Sequence, residues 1–271
     1  MLQNVVVERF TSINEFLTTC ESRVNRAGEN ASSKTGEADF TGTTSLQKAN
    51  ELLLYGDKQT FEKMVEISVK QAPSFVEKSK LKRNVSGFSP CVPAHLSGLP
   101  NSMYTIYKIK PPAVRLELYY SPTAIYNVAA SELQRAGVIM LSIVNALERR
   151  GISVSLNILN KCSVTHNREA TICCVNVKKA GMPLDGLKAA YCLANPSFFR
   201  RHGFLWYETC EKIQAPDFGG YGSTIKDCDE IIPLLQNNGI NMKQSRFINF
   251  YKVKELRYDI NACMQYLNIE A

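Results

Sequence analysis

The sequence predicts an α/β protein: a mixed, mainly parallel sheet flanked by helices, with an N-terminal helical extension. Three observations carry this. Residues 113–119 (AVRLELY) alternate apolar and polar side chains, as a half-buried strand does. A long amphipathic helix follows, with Leu133, Gly137, Met140, Leu141, Val144 and Leu147 on one stripe and Glu132, Arg135, Asn145 and Arg149 off it. Two strand-like runs come directly after. In the first, Ile152, Val154, Leu156 and Ile158 alternate with Ser153, Ser155 and Asn157. The second, 170–177, is apolar almost throughout, the pattern of a central strand buried on both faces. Gly151 supplies a left-handed stop for the helix, and strand, helix and strand suffice for a right-handed parallel crossover.

The flanking elements follow from local signals. Ser12 and Glu15 read as a capping box that opens a short helix. Residues 25–39, rich in Gly, Ser, Thr, Asn and Glu, read as a mobile loop. Ser45 opens a helix with Leu46, Ala49, Leu52 and Leu53 on one face and a stop at Gly56; residues 59–71 repeat the pattern with Phe61, Met64, Val65 and Ile67. Residues 73–112, punctuated by Pro90, Pro93, Gly98 and Pro100, form a Pro-rich connection. Beyond the sheet unit come a helix over 183–191 and an aromatic cluster (Phe198, Phe199, Phe204, Trp206, Tyr207). A glycine-rich loop follows at 217–222, then a short edge strand over 230–235 signalled by Pro233, and a closing helix over 255–267. The division is a helical extension over 1–72, the connection over 73–112, and an α/β domain over 113–271.

Composition sets the class. The chain has 271 residues, 45% of them hydrophobic, which is enough to bury a sizeable core. Lys and Arg number 32 and Asp and Glu 25, a net +7 that reads as spread in pairs (Lys82 with Arg83, Arg149 with Arg150, Lys178 with Lys179, Arg200 with Arg201) and permits an acidic partner. No apolar run reaches the length of a membrane span, and the start (MLQNVVVER) is too short and too soon acidic for a secretory leader. Nine cysteines, an odd number set inside strand and helix patterns, fit free thiols in a reducing cytoplasm. Cys174, Cys192, Cys210 and Cys228 recur every eighteen residues, but nothing around them repeats.

The turn after the first strand runs Tyr119, Tyr120, Ser121, Pro122, Thr123. With its strand, its helix and the two strands that follow, it resembles a von Willebrand A-like domain, whose metal turn reads Asp-x-Ser-x-Ser. Ser121 and Thr123 keep the two hydroxyls, while Tyr119 stands where the carboxylate belongs. Magnesium needs hard, charged oxygen ligands, so no metal and no cofactor is expected at this degenerate site. A second resemblance is to uncharacterised proteins of bacteriophages and mobile elements. It is carried by residues 40–56 (FTGTTSLQKANELLLYG), 87–103 (GFSPCVPAHLSGLPNSM) and 147–154 (LERRGISV). It implies a phage origin and a host-cell cytoplasm, and no activity.

Catalytic chemistry finds no foothold. Cys91 and His95 are neighbours in a loop, a poor arrangement for a thiolate–imidazole pair. Cys162, His166, Cys173 and Cys174 cannot converge on zinc, because adjacent strand residues point to opposite faces. Gly219, Gly220 and Gly222 lack the Lys-Ser/Thr of a phosphate loop. Cations interleave with aromatics at Arg200, Arg201, His202 and Trp206, as they do where single strands of nucleic acid bind, and Tyr104, Tyr107, Lys108 and Lys110 add a second such group. The expectation is a non-enzymatic binding or assembly protein of a phage, meeting a phage or host protein through an exposed patch of Arg200, Arg201 and Trp206, with His95, Tyr104 and Lys108 as further contacts. The alternative is a single-stranded nucleic-acid-binding protein.

Overall fold

The structure is a computed structural model that describes residues 4–71, 79–108, 115–162, 169–213, 218, 224–225, 228–241 and 243–269. Its elements begin with β1 (Asn4–Phe10), α1 (Ile13–Ser22), a 3-10 turn (Gly28–Asn30), α2 (Ser32–Thr35), α3 (Ala38–Thr41), α4 (Leu46–Tyr55) and α5 (Lys58–Gln71). They continue with β2 (Ser79–Asn84), β3 (Ser89–Pro90), α6 (Val92–Leu96), β4 (Met103–Lys108), β5 (Arg115–Ser121), α7 (Ala130–Arg149), β6 (Ser153–Cys162) and β7 (Glu169–Lys178). The chain then forms α8 (Gly186–Ala194), a π turn (Phe198–His202) running into α9 (Gly203–Thr209), α10 (Cys228–Asn237), β8 (Ser245–Asn249), α11 (Phe250–Glu255) and α12 (Ile260–Tyr266).

Five strands form the main sheet in the order β1-β7-β6-β5-β8. The twenty residues of α7 carry the chain from β5 to β6 as a parallel crossover, with Arg115 opposite Ser153 and Tyr120 opposite Ile158. The connection from β6 to β7 is too short for a crossover helix, so that pair is antiparallel. The sheet is therefore mixed and mainly parallel, flanked by helices, as the sequence predicts. β7 is an interior strand, buried on both faces; the central place belongs to β6.

Pleating divides the core between the two faces. Tyr120, Ile158, Cys173 and Val175 join the larger core with α1, α7, α8 and α9, while Tyr119, Leu159, Ile172 and Cys174 face Ile231, Leu235 and Ile240 on the other side. Each fully buried Leu, Ile or Phe contributes about 1.5–3 kcal/mol. The stripe of α7 is inside, with Leu133, Gly137, Met140, Val144 and Leu147 all buried. Helix ends obey their local signals. Ser12 Oγ accepts from Glu15 N–H at 3.1 Å, and Ser45 Oγ accepts from Lys48 N–H at 3.0 Å. Gly56 (φ +93°) ends α4 where a Cβ would lie 2.4 Å from Leu187 Cβ, so no other residue fits there.

Several expectations need correction. The first 72 residues are not only helical: β1 pairs in parallel with β7 over its whole length and forms one edge of the main sheet. Residues 230–235 belong to a helix, because Cys228, Ile231 and Leu235 meet the core at helical spacing and Pro233 is accommodated inside α10. The closing helix is two helices, α11 and α12, separated where Arg257 and Tyr258 adopt positive φ. β8, which the sequence reading passed over, extends the sheet beside β5. Residues 25–39 form three helical turns rather than an open loop, and the Gly219–Gly222 run and His166 lie outside the described residues.

Candidate functional site

The cations beside Trp206 are structural. From Phe198 to Thr209 every residue is buried, because the chain between Asn25 and Thr43 lies over this helix on the side away from the sheet. Arg201 is fully buried and its donors end on oxygen: Nε on Thr43 Oγ1 at 2.8 Å, Nη1 on Ser33 O at 2.9 Å and Lys34 O at 3.3 Å, Nη2 on Gly36 O at 2.8 Å and Thr43 O at 2.7 Å. Burial lowers its pKa. Arg200 donates to Phe40 O at 2.6 Å and Ile125 O at 2.8 Å, with its guanidinium 4.5 Å from the centre of the Phe40 ring. Trp206 donates to Glu8 Oε2 at 2.7 Å, and Arg23 clamps the same carboxylate with two bonds of 2.9 Å. Burial raises the Glu8 pKa; the opposing bonds from Arg23 and Trp206 outweigh it and hold the group at about 2. Arg200, Arg201 and Trp206 therefore present no exposed patch. A run of aromatics and cations reads alike on a surface and in a core; only the segment that covers it decides.

The end of the sheet at β5 and β8 is where an open α/β fold has its crevice, since β5 leads by a crossover to one side and β8 pairs on the other. Here Ser121 pairs in register with Asn249. Ser121 Oγ and Thr123 Oγ1 are 2.9 Å apart, Thr123 Oγ1 accepts from Ile225 N–H at 3.4 Å, and Asn249 Nδ2 donates to Ile225 O at 2.9 Å. Asn249 Oδ1 caps α11 through Lys252 N–H at 2.7 Å. All three polar side chains are buried, and the buried Ile225 seals them. Tyr119 points to the opposite core, donating to Glu117 Oε2 at 2.6 Å and accepting from Arg9 at 3.3 Å. Among the described residues, no group of three or more His, Cys, Asp and Glu side chains could hold a metal ion. Ser121 bonds Thr123, and Thr123 in turn holds the Ile225 backbone. Asn249 was missed from the sequence; an Asn closing the apolar run Phe247, Ile248 before Phe250 is the strand-to-cap signal that marks it.

The remaining expected residues gather in a small module. β2, β4 and β3 form a separate antiparallel sheet in that order, with α6 between β3 and β4. Gly87 lets the β2–β3 turn close on β4, since a Cβ there would lie 2.0 Å from Tyr104 O. Tyr104 pairs in register with both Arg83 and Ser89, Lys108 closes β4 opposite Ser79, and His95 is exposed on α6. The Cys91 thiol is held below its usual range by a bond with the Tyr104 hydroxyl and by the Ala94 N–H, with Arg83 acting in the same sense. A recess of about 510 Å³ is lined by Lys82, Arg83, Leu99, Pro100 and Asn101.

Two properties set this module apart. Between residues 82 and 105 only Cys91 and Ala94 are buried, while Val85, Phe88, Val92, Leu96 and Leu99 are exposed, Leu96 to 81%. The second is charge. Residues 78–116 contain Lys78, Lys80, Lys82, Arg83, Lys108, Lys110 and Arg115 and no Asp or Glu, so the other 232 residues hold 25 cations and 25 acids. The whole excess of +7 belongs to this stretch, which corrects the reading of charge as dispersed. Counting acids by window, not pairs of bases, reveals it.

The family described as "Domain of unknown function (DUF7192)" matches residues 2–269, and the chain belongs to that family. No curated protein and no solved structure matches it. No described helix is long and apolar enough to cross a membrane.

Proposed function

We propose that this member of the family is a non-enzymatic binding protein that holds a partner protein on the β2–β3–β4 module. The observation that carries the reading is a three-stranded sheet whose described side chains bury only Cys91 and Ala94 while five large apolar residues face water. Small sheets need a hydrophobic face covered to be stable, and a contiguous apolar surface rimmed by polar residues marks an interaction site. The polar groups at the crevice of the main sheet are committed to Ile225, which supports a scaffold role for that sheet rather than a reactive one. We read the order strand, hydroxyl turn, long helix, strand, strand as that of a von Willebrand A-like domain with its metal turn converted to internal bonding. The phage resemblance of residues 40–56, 87–103 and 147–154 supports a phage or host protein in an infected cell as the partner.

A second reading, single-stranded nucleic-acid binding, is favoured by the acid-free stretch 78–116 with Tyr104 and Phe88. The test is co-purification from infected cells with the native chain and with a Val92→Asp, Leu96→Asp double variant. Both positions are exposed, so the unfolding temperature stays nearly constant while the partner is lost. A partner retained by the double variant sinks the reading. Retention on immobilised single-stranded DNA that falls steeply with salt, with no protein partner, favours the second.

A further inference from the structure

Resting on that reading, we infer that the partner presents an acidic, amphipathic polypeptide segment, seated over Lys82, Arg83 and the exposed apolar residues of α6 and the loop after it. Charge complementarity selects its sign. Seven cations and no carboxylate fall within these 39 residues, a net positive charge that favours an acidic partner, while the rest of the chain is neutral in sum. Such an excess steers an acidic segment and disfavours a basic one, which fixes the partner's sign more than its affinity.

Apolar exposure selects polypeptide over nucleic acid. Single-stranded nucleic acid is held by cations together with aromatic faces on which bases stack. Among the described residues of this module the exposed large apolar side chains are Val85, Phe88, Val92, Leu96 and Leu99, four of them aliphatic. Aliphatic side chains offer a base no stacking face, but they do bury the Leu, Ile or Phe of an amphipathic chain. The recess of about 510 Å³ combines both demands, since its lining includes the cations Lys82 and Arg83 and the apolar Leu99 and Pro100. A carboxylate and a neighbouring apolar side chain fit it together. Between residues 82 and 105 the side chains bury only Cys91 and Ala94, which leaves such a segment apolar surface to cover.

The experiment uses the full chain and three fluorescein-labelled probes of equal length: a peptide alternating Glu with Leu, a peptide alternating Glu with Ser, and single-stranded oligothymidylate. Anisotropy titrations at two salt concentrations give relative affinities. The Glu–Leu peptide is expected to bind at least about tenfold more tightly than either other probe, since several buried Leu side chains add apolar burial to the same charge. Arg83→Glu and Leu96→Asp should each weaken it about tenfold or more, Arg83→Lys should restore most of the binding, and circular dichroism should show the fold unchanged. Equal binding of the two peptides overturns the amphipathic part of the inference, and tighter binding of oligothymidylate overturns the polypeptide part. Absence of binding by the Glu–Leu peptide overturns the inference outright. If the Val92→Asp, Leu96→Asp variant still loses its partner in infected cells, the broader reading survives that failure.

Discussion

Arg201 Nη1 donates to the Ser33 carbonyl at 2.9 Å, across 168 residues of sequence, and the rest of the guanidinium fastens Lys34, Gly36 and Thr43. Glu208, seven residues nearer the end of the same helix path, accepts from Ser33 N–H at 3.0 Å and from Asn25 Nδ2 at 2.8 Å. The polar stretch after α1 is thus tied down by charges that the helix beneath it supplies. Carbonyls bound to a planar cation satisfy it without a carboxylate.

The first expectation concerns this tie. Arg201→Met keeps the stem's bulk but strands the Ser33, Gly36 and Thr43 oxygens in the core. A loss on the order of 3–5 kcal/mol is expected, read as a lowered urea midpoint. Arg201→Lys should recover only part of it, because an ammonium cannot reach both sides of the cage. A loss below about 1 kcal/mol for Arg201→Met would mean that the segment is held by something else.

His202 gives a pH dependence with a definite sign. Asn50 Nδ2 donates to Glu21, leaving its Oδ1 to accept from His202 Nε2–H at 3.0 Å; Nδ1 then accepts from the Tyr191 hydroxyl at 3.0 Å. Burial, with Arg201 adding repulsion, pushes the His202 pKa down to about 3. The folded protein keeps this ring neutral while the unfolded chain protonates it near 6.5, so its stabilising contribution is present above about 6.5 and falls with pH down to about 3. At pH 5 the cost is about 2 kcal/mol relative to pH 7.5. Glu8, held at about 2, adds its own loss only below about 4.5, and Glu208, raised by burial, opposes the trend near that pH. Urea titrations at pH 7.5 and 5 should show the fall in the native chain and a flatter dependence in His202→Gln; identical slopes would contradict the assignment.

Thiol reactivity should divide the cysteines. Cys173 and Cys174 face opposite cores, and burial raises both, Cys174 to about 12 and Cys173 well above its ordinary value. Cys20, Cys162 and Cys263 are likewise raised to about 12. The Cys91 thiol is shifted the other way, below its usual range, by its bonds with the Tyr104 hydroxyl and the Ala94 N–H. A disulfide reagent under native conditions, followed by peptide mapping, should label Cys91 first and leave Cys173 and Cys174 untouched until the protein unfolds. Early labelling of Cys173 would place β7 at an edge.

Magnesium should not alter stability. Ser121, Thr123 and Asn249 are engaged with one another and with Ile225, and Tyr119 turns to the other face of the sheet. Thermal unfolding in excess magnesium and in excess chelator should coincide. A shift of several degrees would show that the turn still binds the ion.

Local patterns were enough for much of this fold. The alternation before Tyr119, the stripe of α7 and the two runs after Gly151 carry their periodicity within a few turns of chain, and the caps at Ser12 and Ser45 act through bonds three residues long. From these the sequence alone determined an α/β sheet with a long crossover helix, and it placed Cys173 and Cys174 on opposite faces. What depends on distant partners was decided only by the tertiary structure. β1 and β8 are short apolar runs whose strand character comes from pairing with β7 and β5. α10 took helix over strand because its apolar residues meet one core face at helical spacing. Arg200, Arg201 and Trp206 looked like a surface because cations are costly to bury; they are inside because residues 25–43 bring carbonyls to Arg201 and Arg200 and the Glu8 carboxylate waits for Trp206. The β2–β3–β4 module was half visible, in its missing acids, while the exposure of Val92 and Leu96 required the fold, since burial is a property of what surrounds a side chain and not of the side chain itself.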